Sequence, residues 1–172
     1  NLQSANLAYR DPVEKYVNQL TQFGPRPRPG DNYRWFKVGK PAEFRASNAI
    51  VRDYMGEKYV LANEKAPDCA LLHDGNWSLK RAMPDRDRVN RPCVSFTLDA
   101  KGALRFGKLT GENIGRPLCI LLDNVAMSAP NIQSTIHDSG QITGEFSQDD
   151  VIALCNTLEA GSLDARLKET PL

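Results

Sequence analysis

A strict alternation of apolar and polar residues from Val94 to Leu98 constrains the fold more than any other feature of this sequence. Every second residue in that segment is apolar, and serine and threonine lie between them. This period predicts a half-buried strand. Asp99 follows directly and can cap a helix that runs to about Asn113. A strand and a helix in immediate succession favour a fold that contains both.

Short elements continue to the end of the chain, each bounded by residues that favour turns or caps. The apolar runs are strand-sized, and the last segment has helical spacing. In order, we predict a strand over Leu118–Leu122, a turn at Asp123-Asn124, a strand over Val125–Met127, a short helix from Pro130 stopped by Gly140, a strand over Gln141–Phe146, and a helix capped by Ser147 and ended by Gly161.

The order from residue 93 is therefore β-α-β-β-α-β-α, and its first six elements match the split βαβ, or ferredoxin-like, pattern. We predict class α+β: a ferredoxin-like βαββαβ core with a small mixed or antiparallel sheet and helices on one face.

The first half of the chain predicts its elements less sharply. Asp11 to Gly24 has helical spacing, and the proline at every second position from Pro25 to Pro29 forbids helix and predicts a stiff, exposed linker. We therefore predict a boundary, with an N-terminal helix and Pro/Arg-rich linker over 1–30 and an α+β domain over 31–172. Further predicted elements are strands over Tyr33–Val38 and Lys58–Ala62, a helix over Pro41–Tyr54 and helical turns over Trp77–Met83.

Composition indicates a globular domain and excludes some classes of partner. Charged residues make up 25% and hydrophobic residues 41% of the 172, with a net charge of +1. The chain as a whole gives no electrostatic reason to expect nucleic acid. No apolar run approaches the ~18 residues of a membrane helix. Because the chain starts at Asn1 rather than methionine, we expect an excised or processed fragment.

Four cysteines, Cys69, Cys93, Cys119 and Cys155, are spaced too widely for a C-x-x-C motif. One interpretation is four buried, unreactive thiols, because Cys119 lies in an apolar strand and Cys155 on the apolar side of a predicted helix. The other is one or two disulfides in an oxidising compartment, with three ways to pair all four. The sequence leaves both open.

The sequence offers little support for catalysis. His73 and His137 are the only histidines, and neither has a second ligand nearby in sequence. The segment Gly111 to Gly115 lacks the residues of a phosphate-binding loop, and Ser128 lacks the glycines of a nucleophile elbow. We therefore expect no enzyme, no metal, no cofactor and no small-molecule substrate.

The last third of the chain carries an ordered set of short motifs that resembles the SecD, or fused SecDF, family of protein-export membrane proteins. No single motif is specific, but their order and spacing over residues 91–167 are. Asn124 stands where the family usually has glycine. The matching residues are Phe96, Thr110, Asn113 with Gly115, Asp123, Ser128-Ala129-Pro130, Gly140 with Ile142 and Gly144, and Gly161.

The resemblance implies the head region of the first large periplasmic domain of such a protein. The full-length protein would lie in the plasma membrane, with this domain on the exoplasmic side. It would assist export driven by the proton-motive force through SecYEG, with SecF and the unfolded exported polypeptide as partners. The motif residues would be mainly structural, and the resemblance does not imply which face contacts the substrate. A stand-alone extracytoplasmic ligand-binding or adaptor domain with the same core is the alternative.

Overall fold

The computed structural model describes residues 12–167 except 43, 45, 47, 66–69, 72–74 and 123. These residues form three helices and eight strands in two sheets. The elements are α1 (Pro12–Phe23), β1 (Tyr33–Val38), β2 (Val51–Tyr54), β3 (Glu57–Asn63), β4 (Leu79–Arg86), β5 (Pro92–Leu98), α2 (Ala100–Glu112), β6 (Ile120–Leu122), β7 (Val125–Ser128), β8 (Ser139–Ile142) and α3 (Gln148–Leu167).

The five-stranded sheet has the order β2-β3-β1-β7-β6, and its β1–β7 pair is parallel while the other pairs are antiparallel. It is buried on both faces, since the adjacent residues Trp35 and Phe36 are both in the core. Trp35 packs against Tyr16 and Leu20 of α1, and its indole donates a hydrogen bond to the Tyr16 carbonyl oxygen. Phe36 packs on the other side with neighbours from β3 and β7. The domain boundary predicted near residue 30 stays a prediction.

The three-stranded sheet has the order β4-β5-β8 and is antiparallel throughout. The predicted alternation in β5 is confirmed: Val94 packs under α3, Leu98 packs under α2, and Phe96 lies between and contacts both clusters. Because these three residues share one side of the strand, both helices cover the same face of the sheet. The class α+β and the small mixed and antiparallel sheets are thus as predicted.

The ferredoxin-like order is not confirmed. The short helix predicted from Pro130 is absent, because the backbone there is used in an extended ladder. The Pro130 carbonyl accepts a hydrogen bond from the Leu118 amide, and the Ile132 amide donates one to the Arg116 carbonyl. In addition, β6 and β7 belong to the five-stranded sheet while β5 and β8 belong to the other. The strands therefore do not form one βαββαβ sheet.

Other element predictions were wrong for local reasons. Met55 and Gly56 both have positive φ, as a two-residue hairpin turn requires, so Val51–Tyr54 pairs with β3 instead of ending a helix. Leu79–Arg86 is a strand rather than helical turns, because it pairs with β5 along its length. The predicted strand over Gln141–Phe146 is shorter and begins earlier, at Ser139, and Gly161 lies inside α3 rather than at its end.

Candidate functional site

A groove of about 370 Å³ lies between the two sheets. One wall is the end of β7 and the extended segment after it; the other is the segment that leaves β8, and Lys40 and Arg91 complete the rim. The residues that line the groove are Lys40, Arg91, Met127, Ser128, Ala129, Pro130, Asn131, Gln133, Thr143, Gly144, Glu145 and Phe146.

The first wall is held by main-chain hydrogen bonds on both sides. Ala129 forms a parallel bridge with Ala46, and Asn131 forms an antiparallel bridge with Pro117. The main chain of residues 128–132 thus continues β7 in extended form, and Ala129 and Ile132 are buried in the core. This local structure leaves the side chains of the wall, rather than its backbone, to interact with a ligand.

Two buried polar atoms in this wall have no hydrogen-bond partner among the residues that the structure describes, namely Ser128 Oγ and Asn131 Oδ1. Ser128 is only 6% exposed. A buried polar group without a partner costs roughly 1–3 kcal/mol, so proteins rarely keep one. Ser128 and Asn131 both belong to the residues that line the groove.

The second wall depends on a glycine. A Cβ on Gly144 would lie 2.9 Å from Cε2 of the Phe146 ring, closer than real contacts allow. Gly144 therefore lets Phe146 fold back over its own backbone, where the ring also packs against the α3 cluster. The Phe146 ring thus adds an apolar surface beside Thr143 and Glu145, and Met127 lines the same groove from the other side.

One ion pair joins the two sides of the rim, and a second set lies at the end of the three-stranded sheet. Lys40, which follows β1, binds the Asp150 carboxylate at the start of α3. Arg91 Nη1 lies 3.5 Å from Glu145, and its Nε donates to Asp87 at 2.8 Å. The hydrogen bonds from Lys40 and then from Ser147 lower the pKa of Asp150 to about 2, so this carboxylate stays charged in acid.

Thr110 joins α2 to the segment that continues the first wall. It is fully buried, and its Oγ1 donates to the Phe106 carbonyl at 2.7 Å and accepts from the Ile136 amide at 2.9 Å. Thr110 therefore has partners for its hydroxyl, in contrast to Ser128.

Asn113 and Gly115 end α2 and return the chain to the same segment. The Asn113 side-chain amide donates to the Leu109 carbonyl at 2.8 Å. Gly115 has φ +81°, and its amide donates to the Ile132 carbonyl at 2.8 Å. Both residues position the groove without lining it.

The structure brings four of the sequence-predicted residues together in the groove: Ser128, Ala129, Pro130 and Gly144. Six others lie outside the groove, where they pack in the core or form the end of α2. They are Phe96, Thr110, Asn113, Gly115, Gly140 and Ile142. Asp123 lies outside the described residues, and Gly161 lies in α3. No sequence motif predicted four other residues of the groove, although one of them, Asn131, directly follows a predicted motif; they are Lys40, Arg91, Asn131 and Phe146.

The cysteines described by the structure are free and lie in apolar surroundings. Cys93 and Cys155 are buried and Cys119 is half-buried, while Cys69 lies outside the described residues. Burial raises the pKa of all three described thiols, that of Cys119 to about 12. Such thiols are poor nucleophiles and metal ligands. Within the described part of the chain, no three His, Cys, Asp or Glu residues converge as a metal site.

Comparison with known proteins decides the family. The sequence model described as "SecDF, P1 head subdomain" matches residues 56–165, well over half of the chain. This chain belongs to the SecDF P1 head family. The resemblance predicted from the motifs is therefore confirmed, and the P1 head assignment supports a role in protein translocation. None of the helices in the described part of this P1 head is long and apolar enough to span a bilayer.

Relatives of this P1 head are much longer proteins. The protein translocase subunit SecD of Leptotrichia buccalis is 48% identical over 99 residues, which are 57% of this chain and 24% of the relative. SecD of Aquifex aeolicus is 44% identical over 134 residues, 69% of this chain and 27% of the relative. The chain thus spans about a quarter of these curated relatives. A solved SecDF, described as a membrane component that enhances protein export, is 34% identical, with 50% of this chain and 40% of that chain covered and a TM-score of 0.46.

Proposed function

We propose that this P1 head is the exoplasmic part of a SecD-type subunit and contacts the unfolded polypeptide that emerges from the SecYEG channel. The full-length protein lies in the plasma membrane, acts with SecF, and assists export driven by the proton-motive force. Family membership and the longer SecD relatives support this proposal over a stand-alone adaptor domain.

The observation that carries the proposal is the pair of unpartnered polar atoms in the groove wall, Ser128 Oγ and Asn131 Oδ1. Each peptide group of an extended chain offers one N–H donor and one carbonyl acceptor. The amide oxygen of Asn131 accepts from such an N–H, and the hydroxyl of Ser128 donates to such a carbonyl. Met127 and Phe146 offer apolar surface to the side chains of the same segment.

Binding of this kind is weak and tolerant of sequence. Its hydrogen bonds are made to the main chain, which every polypeptide shares. The charged rim residues Lys40, Arg91 and Glu145 are already engaged in ion pairs, so they do not select a particular side chain. A translocation subunit must also release its substrate. We propose further that the domain is not an enzyme: the hydroxyl groups that line the groove belong to Ser128 and Thr143, and no histidine is among the described residues that line it.

Site-directed photocrosslinking in the full-length parent tests the proposal. A photoreactive residue replaces Gln133, an exposed residue on the groove, while a secretory protein is stalled in the channel of inverted vesicles. A matched control replaces Arg52, which is exposed on β2 at the far edge of the five-stranded sheet.

We expect crosslinks to the stalled chain from position 133 and few from position 52. Equal crosslinking from both positions would show contact without use of the groove. No crosslinks from any exposed position, with export proceeding normally, would refute polypeptide contact and favour the adaptor function.

A further inference from the structure

Helix α2 carries a second surface that the groove does not use. Its outward side shows Lys101, Leu104, Arg105 and Lys108, here called the basic stripe. At 100° per residue these four positions fall within an arc of about 100°. Lys101 and Lys108 are exposed, and Leu104 is 79% exposed. Glu112, at the end of the helix, is exposed and falls within the same arc, so the stripe carries three cations and one carboxylate.

The opposite side of α2 explains why the stripe faces outward. Phe106, Leu109 and Thr110 are buried against the three-stranded sheet and its neighbours. The helix therefore has a core side fixed by packing and a second side with three cations around an exposed leucine. The whole chain has a net charge of only +1, so this cluster reflects local placement and not composition.

From this surface we infer that α2 docks flat on an anionic lipid bilayer. A helix that lies in a bilayer interface presents cations to the headgroups and an apolar side chain to the acyl boundary, and the basic stripe combines both. SecD and SecDF are membrane proteins, so tethering keeps a bilayer within reach of this domain and makes even weak affinity effective. An acidic protein surface would attract the three cations equally but would give no reason for the exposed leucine.

Vesicle co-sedimentation of the 172-residue chain tests the inference. The vesicles contain phosphatidylglycerol and phosphatidylcholine in equal parts, or phosphatidylcholine alone. One basic residue near an anionic surface strengthens binding about fivefold, so the K101Q/R105Q/K108Q variant should bind the anionic vesicles roughly a hundredfold more weakly. A control variant, R52Q/K80Q/R88Q, removes the same charge from other exposed positions and should bind nearly as the parent does.

A second variant separates lipid from acidic protein. L104S keeps every charge, and we expect it to weaken vesicle binding severalfold while leaving binding to polyglutamate unchanged. Vesicle binding that is insensitive to L104S would overturn the inference in favour of an acidic protein partner. Absence of binding by the parent chain to anionic vesicles, or equal loss in the stripe and control variants, would also overturn it. All variants should bind unfolded peptide as the parent chain does, because the stripe does not line the groove.

Discussion

Replacing Ser128 by alanine should stabilise the domain and at the same time weaken its binding to polypeptide. The Ser128 hydroxyl is buried and has no partner within the described part of the chain, which costs about 1–3 kcal/mol. Alanine removes the hydroxyl and keeps Cβ, so the only loss is a few atomic contacts of roughly 0.1–0.2 kcal/mol each. We expect the free energy of unfolding to rise by about 1 kcal/mol.

Thr110→Val is the matched control, because it also removes a buried hydroxyl but one that has partners. Its loss leaves the Ile136 amide without its acceptor, while the Phe106 carbonyl loses its second donor and keeps the helix bond from the Thr110 amide. We expect the free energy of unfolding to fall by roughly 1–3 kcal/mol, with peptide affinity unchanged in the folded protein.

Urea and thermal denaturation followed by tryptophan fluorescence measure both variants. For a chain of this size, about 1 kcal/mol corresponds to a change in Tm of roughly 2–4 °C. Fluorescence titration with an unfolded peptide should show Ser128→Ala binding about two- to tenfold more weakly, the worth of one hydrogen bond. If Ser128→Ala instead lost as much stability as Thr110→Val, the hydroxyl would have a native partner and would not be free to bind polypeptide.

Two further predictions concern packing and pH. Gly140→Ala should lower the free energy of unfolding by roughly 1–3 kcal/mol in urea denaturation, since its Cβ would lie 2.9 Å from Cζ of Phe96, and Phe96→Leu should restore part of the loss. Full stability of Gly140→Ala would show that the ring moves freely. Asp150 has a pKa of about 2 when folded against 3.8 unperturbed, so its bond with Lys40 stabilises above pH ~3.8 and is lost as pH falls through 2. Asp150→Asn should therefore lower the free energy of unfolding by about 1 kcal/mol at pH 7, after allowance for solvent screening, and should leave it unchanged below pH ~2. A loss of stability that did not depend on pH in urea denaturation would contradict the lowered pKa of Asp150.

Local signals in the sequence predicted the elements whose hydrogen bonds close within a few residues. Asp99 caps α2 by accepting from the Gly102 amide at 2.7 Å, as predicted from its place after the strand. Ser147 and Asp150 cap α3 reciprocally. Asn124 adopts positive φ at the predicted turn. The alternation in β5 predicted both its strand and its buried side.

Elements whose backbone partners are distant in sequence were predicted poorly. Trp77–Met83 was predicted to be helical because its spacing allows a helix, yet pairing with β5 makes its larger part a strand. Pro130 was predicted to open a helix, yet the ladder with residues 116–118 holds it extended. In each case a partner strand decided the backbone, and one sequence window does not contain that partner.

By itself, the sequence determined the family, the class α+β, the helix caps and four residues of the groove, because motif order, side-chain period and capping act over short distances. Only the tertiary structure decided the division into two sheets and therefore the groove between them. Lys40 and Asp150 meet across the rim although 110 positions separate them. The unpaired state of Ser128 Oγ and Asn131 Oδ1 among the described residues was likewise decided there, since an atom lacks a partner only once every neighbour is in place.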